Sequence, residues 1–190
     1  MPETLTRPDI AALCLRFGLE EDARALLRPE HDERAFVEAL LTGEQFADAV
    51  RFMAGTLPVR EAIWWAWSCA RRTLAPGPPP PVLAALELTE RWIAQPNEEN
   101  RRPTLAAAEA ADLGTAAGAA AFAAFFSGGS ISPPSAPPVP APAGAAARAV
   151  AGSVTLSAVS PPPELAPDRF RQFVAQAMEV AVRIRLWPRA

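Results

Sequence analysis

A chain of 190 residues, half of them apolar and 21% charged, is long enough to bury one hydrophobic core. The formal net charge is −3, and the basic residues, all of them arginine, are dispersed among the acids. Nucleic-acid binding, which needs a concentrated basic face, is therefore not expected. The first residues lack the apolar run of a signal peptide, and no stretch reads as a membrane span, so we expect a cytoplasmic protein.

The first third of the chain predicts four short helices. Thr6 is expected to cap the first and Gly18 to end it, and the second covers Glu20–Leu27. Asp32 opens the third, which Gly43 closes. The fourth helix runs from Glu44 to about Ala54. It has an apolar stripe on one side, and we expect its polar residues on the other, namely Asp48 and Arg51.

The fifth predicted helix, Pro58–Leu74, is the most aromatic segment. The proline run that follows, residues 76–81, is expected to be a stiff extended connector. A sixth helix is predicted over Val82–Ala94. Residues 97–126 are alanine-rich and predict two helices broken near Gly114, with Pro103 starting or kinking one of them.

The last third contains one clear loop and one ambiguous segment. Residues 127–142 are rich in proline, glycine and serine and predict a loop. Residues 143–159 have the alanines of a helix and the alternation of a strand. We predict a helix, because a lone strand would have no pairing partner. The final helix has an apolar face, formed by Phe170, Phe173, Val174, Ala177, Ala181 and Ile184.

These elements predict an all-α fold, a compact bundle of short antiparallel helical hairpins with proline-rich connecting loops. We expect residues 1–190 to form a single helical domain.

Residue types that carry chemistry are scarce in this chain. His31 is the only histidine, and it lies in a polar turn between two acids, where a solvated loop residue is the ordinary interpretation. Cys14, His31 and Cys69 lack the spacing of a metal site, and both cysteines are expected to be small buried hydrophobic residues. The acidic pairs at Glu20 and Glu98 start predicted helices, where the dipole favours acids. We predict no catalytic residue, cofactor or metal.

The turn Ser127-Gly128-Gly129-Ser130 is an alternative candidate for a site. Its backbone N–H groups can form an anion-binding nest, and its serines can act as nucleophiles with His31 as the base. However, the turn follows a helix and so lacks the field of a helix N-terminus. A glycine that ends a helix is the simpler interpretation.

The tryptophans of the fifth helix leave two interpretations open. On a helical projection Trp67 lies with Ile63 and Leu74, while Trp65 points to the opposite side and Trp64 lies between. The helix is therefore apolar almost all round, which is typical of a central helix packed on both sides. Alternatively, Trp64 or Trp65 anchors a partner, since tryptophan and arginine are frequent at interface hot spots.

The run LPVREAIWWA (residues 57–66), together with the later SGGS turn (127–130), resembles an uncharacterised bacterial helical domain family. The resemblance covers residues 33–187 and carries no activity. Members of that family resemble accessory proteins found beside type VI secretion components. The resemblance therefore implies adaptor or chaperone-like work in bacterial secretion.

We expect a non-enzymatic protein-interaction module whose partner is another protein, such as a secretion component or its cargo. The candidate partner-binding residues are Arg60, Glu61, Trp64, Trp65, Arg72, Ser127, Gly128, Gly129 and Ser130. Two alternatives remain. One is a hydrolase or transferase that uses the Ser127–Ser130 turn with His31, and the other is a structural subunit whose alanine-rich helices form an oligomer seam.

Overall fold

The computed structural model describes residues 9–187 and confirms the all-α fold. Within this range, the only pairing of extended backbone is an isolated bridge between Ser130 and Pro140. The helices are α1 (Ile10–Phe17), α2 (Glu21–Ala25), α3 (Glu33–Thr42), α4 (Phe46–Thr56), α5 (Val59–Arg72), α6 (Pro80–Ala94), α7 (Glu98–Arg101), α8 (Pro103–Ala110), α9 (Ala116–Phe125), α10 (Ala145–Ala158) and α11 (Ala166–Arg183).

Helix caps define the first elements, although the cap of α1 is Asp9 and not the predicted Thr6. The carboxylate of Asp9 accepts from the N–H of Ala11 at 3.0 Å, and Gly18 ends α1 in the left-handed conformation at φ 70°. Asp32 caps α3 in the same way through the N–H of Ala35, at 2.8 Å. The cap predicted at Thr6 lies outside the described residues.

Prolines start helices more often than we expected. The prediction of an extended connector over residues 76–81 is wrong for its last two residues, because α6 begins at Pro80 and continues through Pro81. The backbone N–H groups in the first turn of a helix have no acceptor within the helix, so a proline there loses no hydrogen bond. The fixed φ of proline also suits a helix. Pro103 starts α8, which is one of the two roles that the sequence predicted for it. The short α7 precedes it, so residues 97–126 contain three helices and not the predicted two.

The ambiguous segment at residues 143–159 is helical, as predicted, and forms α10. Two serines on its buried side find acceptors for their hydroxyls: Ser153 donates to the carbonyl of Ala116 at 2.7 Å, and Ser157 donates to that of Ser153. In α11 the predicted apolar face is buried apart from Ile184, which lies one residue beyond the helix and is 38% exposed.

Asp48 is a correction to the prediction for α4. Its side chain does not face solvent but is buried, with 4% of the residue exposed. One carboxylate oxygen accepts from the N–H of Glu20 and from Nη1 of Arg51, both at 3.1 Å. The charge is tolerated in the interior because these two donors satisfy it. It joins the start of α2 to α4.

Two hydrophobic clusters pack against opposite sides of α5. The main core includes the largest fully buried side chains, among them Trp65, Phe36, Phe52 and Phe173. The second, which we name the alanine cluster, lies between α5, α6, α8 and α9. Its buried members are Ala70, Ala85, Leu86, Ala107, Ala108, Ala111, Ala117 and Ala121. Helix α5 is therefore a central helix packed on both sides, one of the two arrangements that the sequence left open.

Candidate functional site

The three tryptophans of α5 have three different environments. Trp65 is fully buried in the main core, and its indole N–H donates to the carbonyl of Phe173 at 2.8 Å. Trp67 is half-buried against the alanine cluster and donates to the carbonyl of Leu86 at 3.0 Å. Trp64 is half-buried at the edge of the main core. Trp65 therefore offers no surface to a partner, and of the two proposed anchors Trp64 remains accessible.

Trp64 lies in a small groove between α5, α6 and α11. Arg60 and Glu61 line the same groove, whose volume is about 190 Å³. Helix α6 contributes Ile93, and Nε of Arg60 donates to its carbonyl at 2.7 Å. This hydrogen bond holds the Arg60 side chain against α6, where it forms one wall of the groove. Three of the sequence-predicted residues are thus brought together on one surface.

A larger groove of about 760 Å³ continues along the other side of α11, against α3. Apolar side chains alternate there with charges of both signs, and an ion pair between Arg34 and Glu38, at 3.0 Å, lies on the α3 side. The lining residues are Arg34, Glu38, Ala175, Met178, Glu179, Val182, Arg183 and Trp187. Arg183 lines both grooves, so we name the combined surface the α11 face. Its α11 residues were not among the sequence candidates, although the strong amphipathic pattern of this helix was visible.

Arg72 lies apart from the α11 face. Its Nη2 donates to the side-chain oxygen of Gln172 at 3.2 Å, and its guanidinium lies 5.5 Å from the ring of Phe173. These contacts connect α5 to the first half of α11. Arg72 is exposed, but its side chain contacts Gln172 and Phe173 and does not line either groove of the α11 face.

The turn at Ser127–Ser130 is held by α7. Nη2 of Arg101 donates to the carbonyl of Ser130 at 2.8 Å, and Nη1 of Arg102 donates to that of Ser132 at 2.5 Å. Both arginines pair with the carboxylate of Glu98, each at 2.6 Å. We name these three α7-region residues the α7 clamp. Hydrogen bonds from the arginines, that of Arg101 first, lower the pKa of Glu98 from 4.5 to about 2.

The α7 clamp was missed by sequence reasoning, which assigned Glu98 only a role at a helix start. The available signal was the spacing, since an acid three and four residues before two arginines places all three on one helix face.

Ser127, Gly128 and Gly129 line a cavity of about 670 Å³ at the ends of α1 and α4 and the start of α10. We name it the arginine cavity, after Arg16, Arg51 and Arg148 in its lining. His31 is not part of it: this side chain lies in the turn before α3, where its Nδ1 accepts from the N–H of Arg28 at 3.4 Å. Neither His31 nor Ser130 lines the arginine cavity or either groove of the α11 face.

The alanine-rich helices are packed within their own chain. Eight residues of α9 are buried, against α6, α8 and α10 among others. The surface that the structural-subunit alternative needs as an oligomer seam is therefore largely occupied.

The two cysteines are buried as predicted. Burial raises the pKa of the Cys14 thiol to about 11 and that of Cys69 to about 12. The reactive thiolate is strongly disfavoured at neutral pH in both. Among residues 9–187 no group of three or more His, Cys, Asp or Glu side chains is placed to hold a metal ion. No helix in this range is both long and apolar enough to cross a membrane.

A family model described as a family of unknown function (DUF6931) matches residues 36–181. The chain belongs to this family. The match covers α3 to α11 almost entirely, including the tryptophan helix and the turn at Ser127–Ser130. Comparisons with curated proteins and with solved structures give no match. The predicted resemblance to an uncharacterised helical family is confirmed, while its link to type VI secretion has no support among these findings.

Proposed function

We propose that this protein is a non-enzymatic interaction module that binds a partner protein on the α11 face. The observation that carries the proposal is the continuity of this surface. Arg183 joins the groove of Trp64 to the larger groove of Met178 and Val182. Apolar side chains lie there between paired and unpaired charges, an arrangement typical of a surface that receives the apolar face of an amphipathic helix.

The candidate anchors on this face are accessible without unfolding. Trp64 and Met178 are half-buried, so each packs against the main core on one side and is exposed on the other. Aromatic residues and methionine are enriched in interface centres, while the flanking arginines and glutamates supply a polar rim.

The context that we propose is cytoplasmic adaptor or chaperone-like work in bacterial secretion. Support for this finer statement comes only from the family resemblance of the LPVREAIWWA run and the SGGS turn. Co-purification with type VI secretion components from the native host is its test. A partner set without any secretion protein would contradict it and leave the α11 face as the more general proposal.

Photo-crosslinking tests the α11 face directly. A photoreactive amino acid at position 64 or 178 should give the same crosslinked partner band in cells. A probe at Leu113, an exposed residue outside both grooves, is the matched control. The charge reversal Arg183→Glu should weaken the band at both positions, whereas Arg91→Glu on α6 should not. Equal crosslinking at position 113, or no effect of Arg183→Glu, would contradict the proposal.

A further inference from the structure

The lining of the arginine cavity carries more positive charge than that of either groove of the α11 face. Arg16, Arg51 and Arg148 line it, and its lining contains no aspartate or glutamate, although acids outnumber bases in the whole chain. Arg51 is paired with Asp48 and Glu20, which lie outside the lining. Arg16 and Arg148 form no ion pair with another described residue. Two of the three guanidinium groups are thus available to an anion.

The position of Arg148 is electrostatically unusual. Its guanidinium turns back over the start of α10, where Nη1 lies 3.1 Å from the point that a Cβ at Gly144 would occupy. The start of a helix carries partial positive charge, so an arginine there is unfavourable unless an anion lies beside it. The first turn of α10 has neither an acidic residue nor a side-chain cap. An anion beside both Arg148 and this turn would make the arrangement electrostatically favourable.

The turn at Ser127–Ser130 completes the cavity. From the sequence it was a weak anion nest, because it follows α9 and has no helix N-terminus of its own. In the fold, Ser127, Gly128 and Gly129 line the same cavity as Gly144 and Ala147, so the start of α10 supplies the field that was missing. The bond from Arg101 to the carbonyl of Ser130 holds the turn in place before any ligand arrives.

We propose that the arginine cavity binds a small organic phosphate, with its phosphate group beside Arg148 at the start of α10. Several guanidinium groups suit a doubly charged phosphate better than a singly charged carboxylate, because the phosphate has a third acceptor oxygen and can pair with more than one arginine. The volume of about 670 Å³ exceeds what a phosphate alone needs and is typical of a small-molecule pocket. Phe126, Val59 and Leu57 also line it and provide contacts for an apolar body.

Calorimetric titration of the whole chain with phenyl phosphate tests the proposal, with inorganic phosphate and benzoate as comparisons at constant ionic strength. Phenyl phosphate should bind more tightly than either. Arg148→Gln should weaken its binding roughly tenfold or more, as expected for loss of a charge-assisted pair of hydrogen bonds. Arg91→Gln, which removes an exposed arginine outside the cavity, should leave it unchanged. Absent binding, tighter binding of benzoate, or equal affinity in Arg148→Gln would overturn the proposal.

A second variant separates binding from folding. Ala147→Glu places a carboxylate in the cavity within the first turn of α10, where an acid favours the helix. Its melting temperature should be unchanged or raised, while phenyl phosphate binding is lost because the new carboxylate occupies the positive field. Retained binding in this variant would also overturn the proposal.

Discussion

The two sides of α5 are packed by different means. On the side of Trp65, the main core is filled with large aromatic and aliphatic side chains. On the side of Trp67, all but one of the buried members of the alanine cluster are alanines. Small side chains let neighbouring helices approach closely, whereas large ones fill the space between more distant helices. The main core should therefore be sensitive to lost volume, and the alanine cluster to added volume.

The largest effect is expected from Trp65→Ala. It opens a cavity in the main core and removes the N–H donor to the carbonyl of Phe173. We expect a loss of about 3–5 kcal/mol in the free energy of unfolding, measured by urea denaturation. This is a large fraction of the total stability of an ordinary domain.

Trp64→Ala is the matched control for this substitution. Trp64 is only half-buried, so its truncation should cost clearly less than that of Trp65. Equal losses for the two variants would mean that the difference in burial between these neighbours has no energetic consequence, and the comparison would fail.

The second effect concerns added volume in the alanine cluster. Ala108 of α8 is fully buried there, and Ala108→Leu should lower the free energy of unfolding by about 1–3 kcal/mol, because close-packed helices must separate to accept the side chain. Ala106→Leu places the same side chain on the exposed side of the same helix and should be nearly neutral. Chemical denaturation of both variants checks this. A neutral Ala108→Leu would show that the alanine cluster is loosely packed.

Much of the fold was predictable because helix ends are local features. Asp32, Gly18 and the break near Gly114 act within a few residues, so their positions follow from the sequence alone. The burial of Asp48 was not predictable in this way. It depends on an N–H at Glu20, which the chain brings to α4 only after folding. The helical start at Pro80 was not predicted, because the fixed φ of proline suits both an extended connector and the first turn of a helix.

The candidate site was less predictable than the fold. A helical projection placed Trp67 with Ile63 and Leu74 and Trp65 on the opposite side, but it cannot say which side of a helix that is apolar almost all round meets the larger cluster. The neighbours decide this, and α11 contributes Phe173 from a position 108 residues away. The arginine cavity was hidden for the same reason, since Arg16, Arg51 and Arg148 come from three separate helices.

A smaller effect is expected from Trp67→Phe. This change keeps an aromatic ring against the alanine cluster but removes the N–H that donates to the carbonyl of Leu86, and it weakens the contact with Arg71, whose guanidinium lies 5.1 Å from the ring. We expect a loss of about 1 kcal/mol in unfolding free energy, the usual value of one such hydrogen bond. A change as large as that of Trp65→Ala would contradict the distinction between the two sides.

The smallest effect should come from the α7 clamp, which holds the turn after α9 by charge. The pKa of Glu98 lies at about 2 in the folded chain, below its ordinary 4.5. A carboxyl with a lowered pKa stabilises the folded state above pH 4.5, and this contribution disappears as the pH falls towards 2. The Glu98 side chain is 54% exposed, so solvent screening should limit the effect to about 1 kcal/mol or less.

Glu98→Gln isolates this contribution. The variant should be less stable than the parent chain at pH 7, and the difference should shrink between pH 4.5 and 2, where the parent carboxylate becomes protonated. Glu99→Gln changes the neighbouring acid, which has no bond to Arg101 or Arg102 among those described, and should leave stability nearly unchanged. Urea denaturation at several pH values measures both. A difference that persists unchanged at pH 2 would show that Glu98 acts through packing and not through its charge.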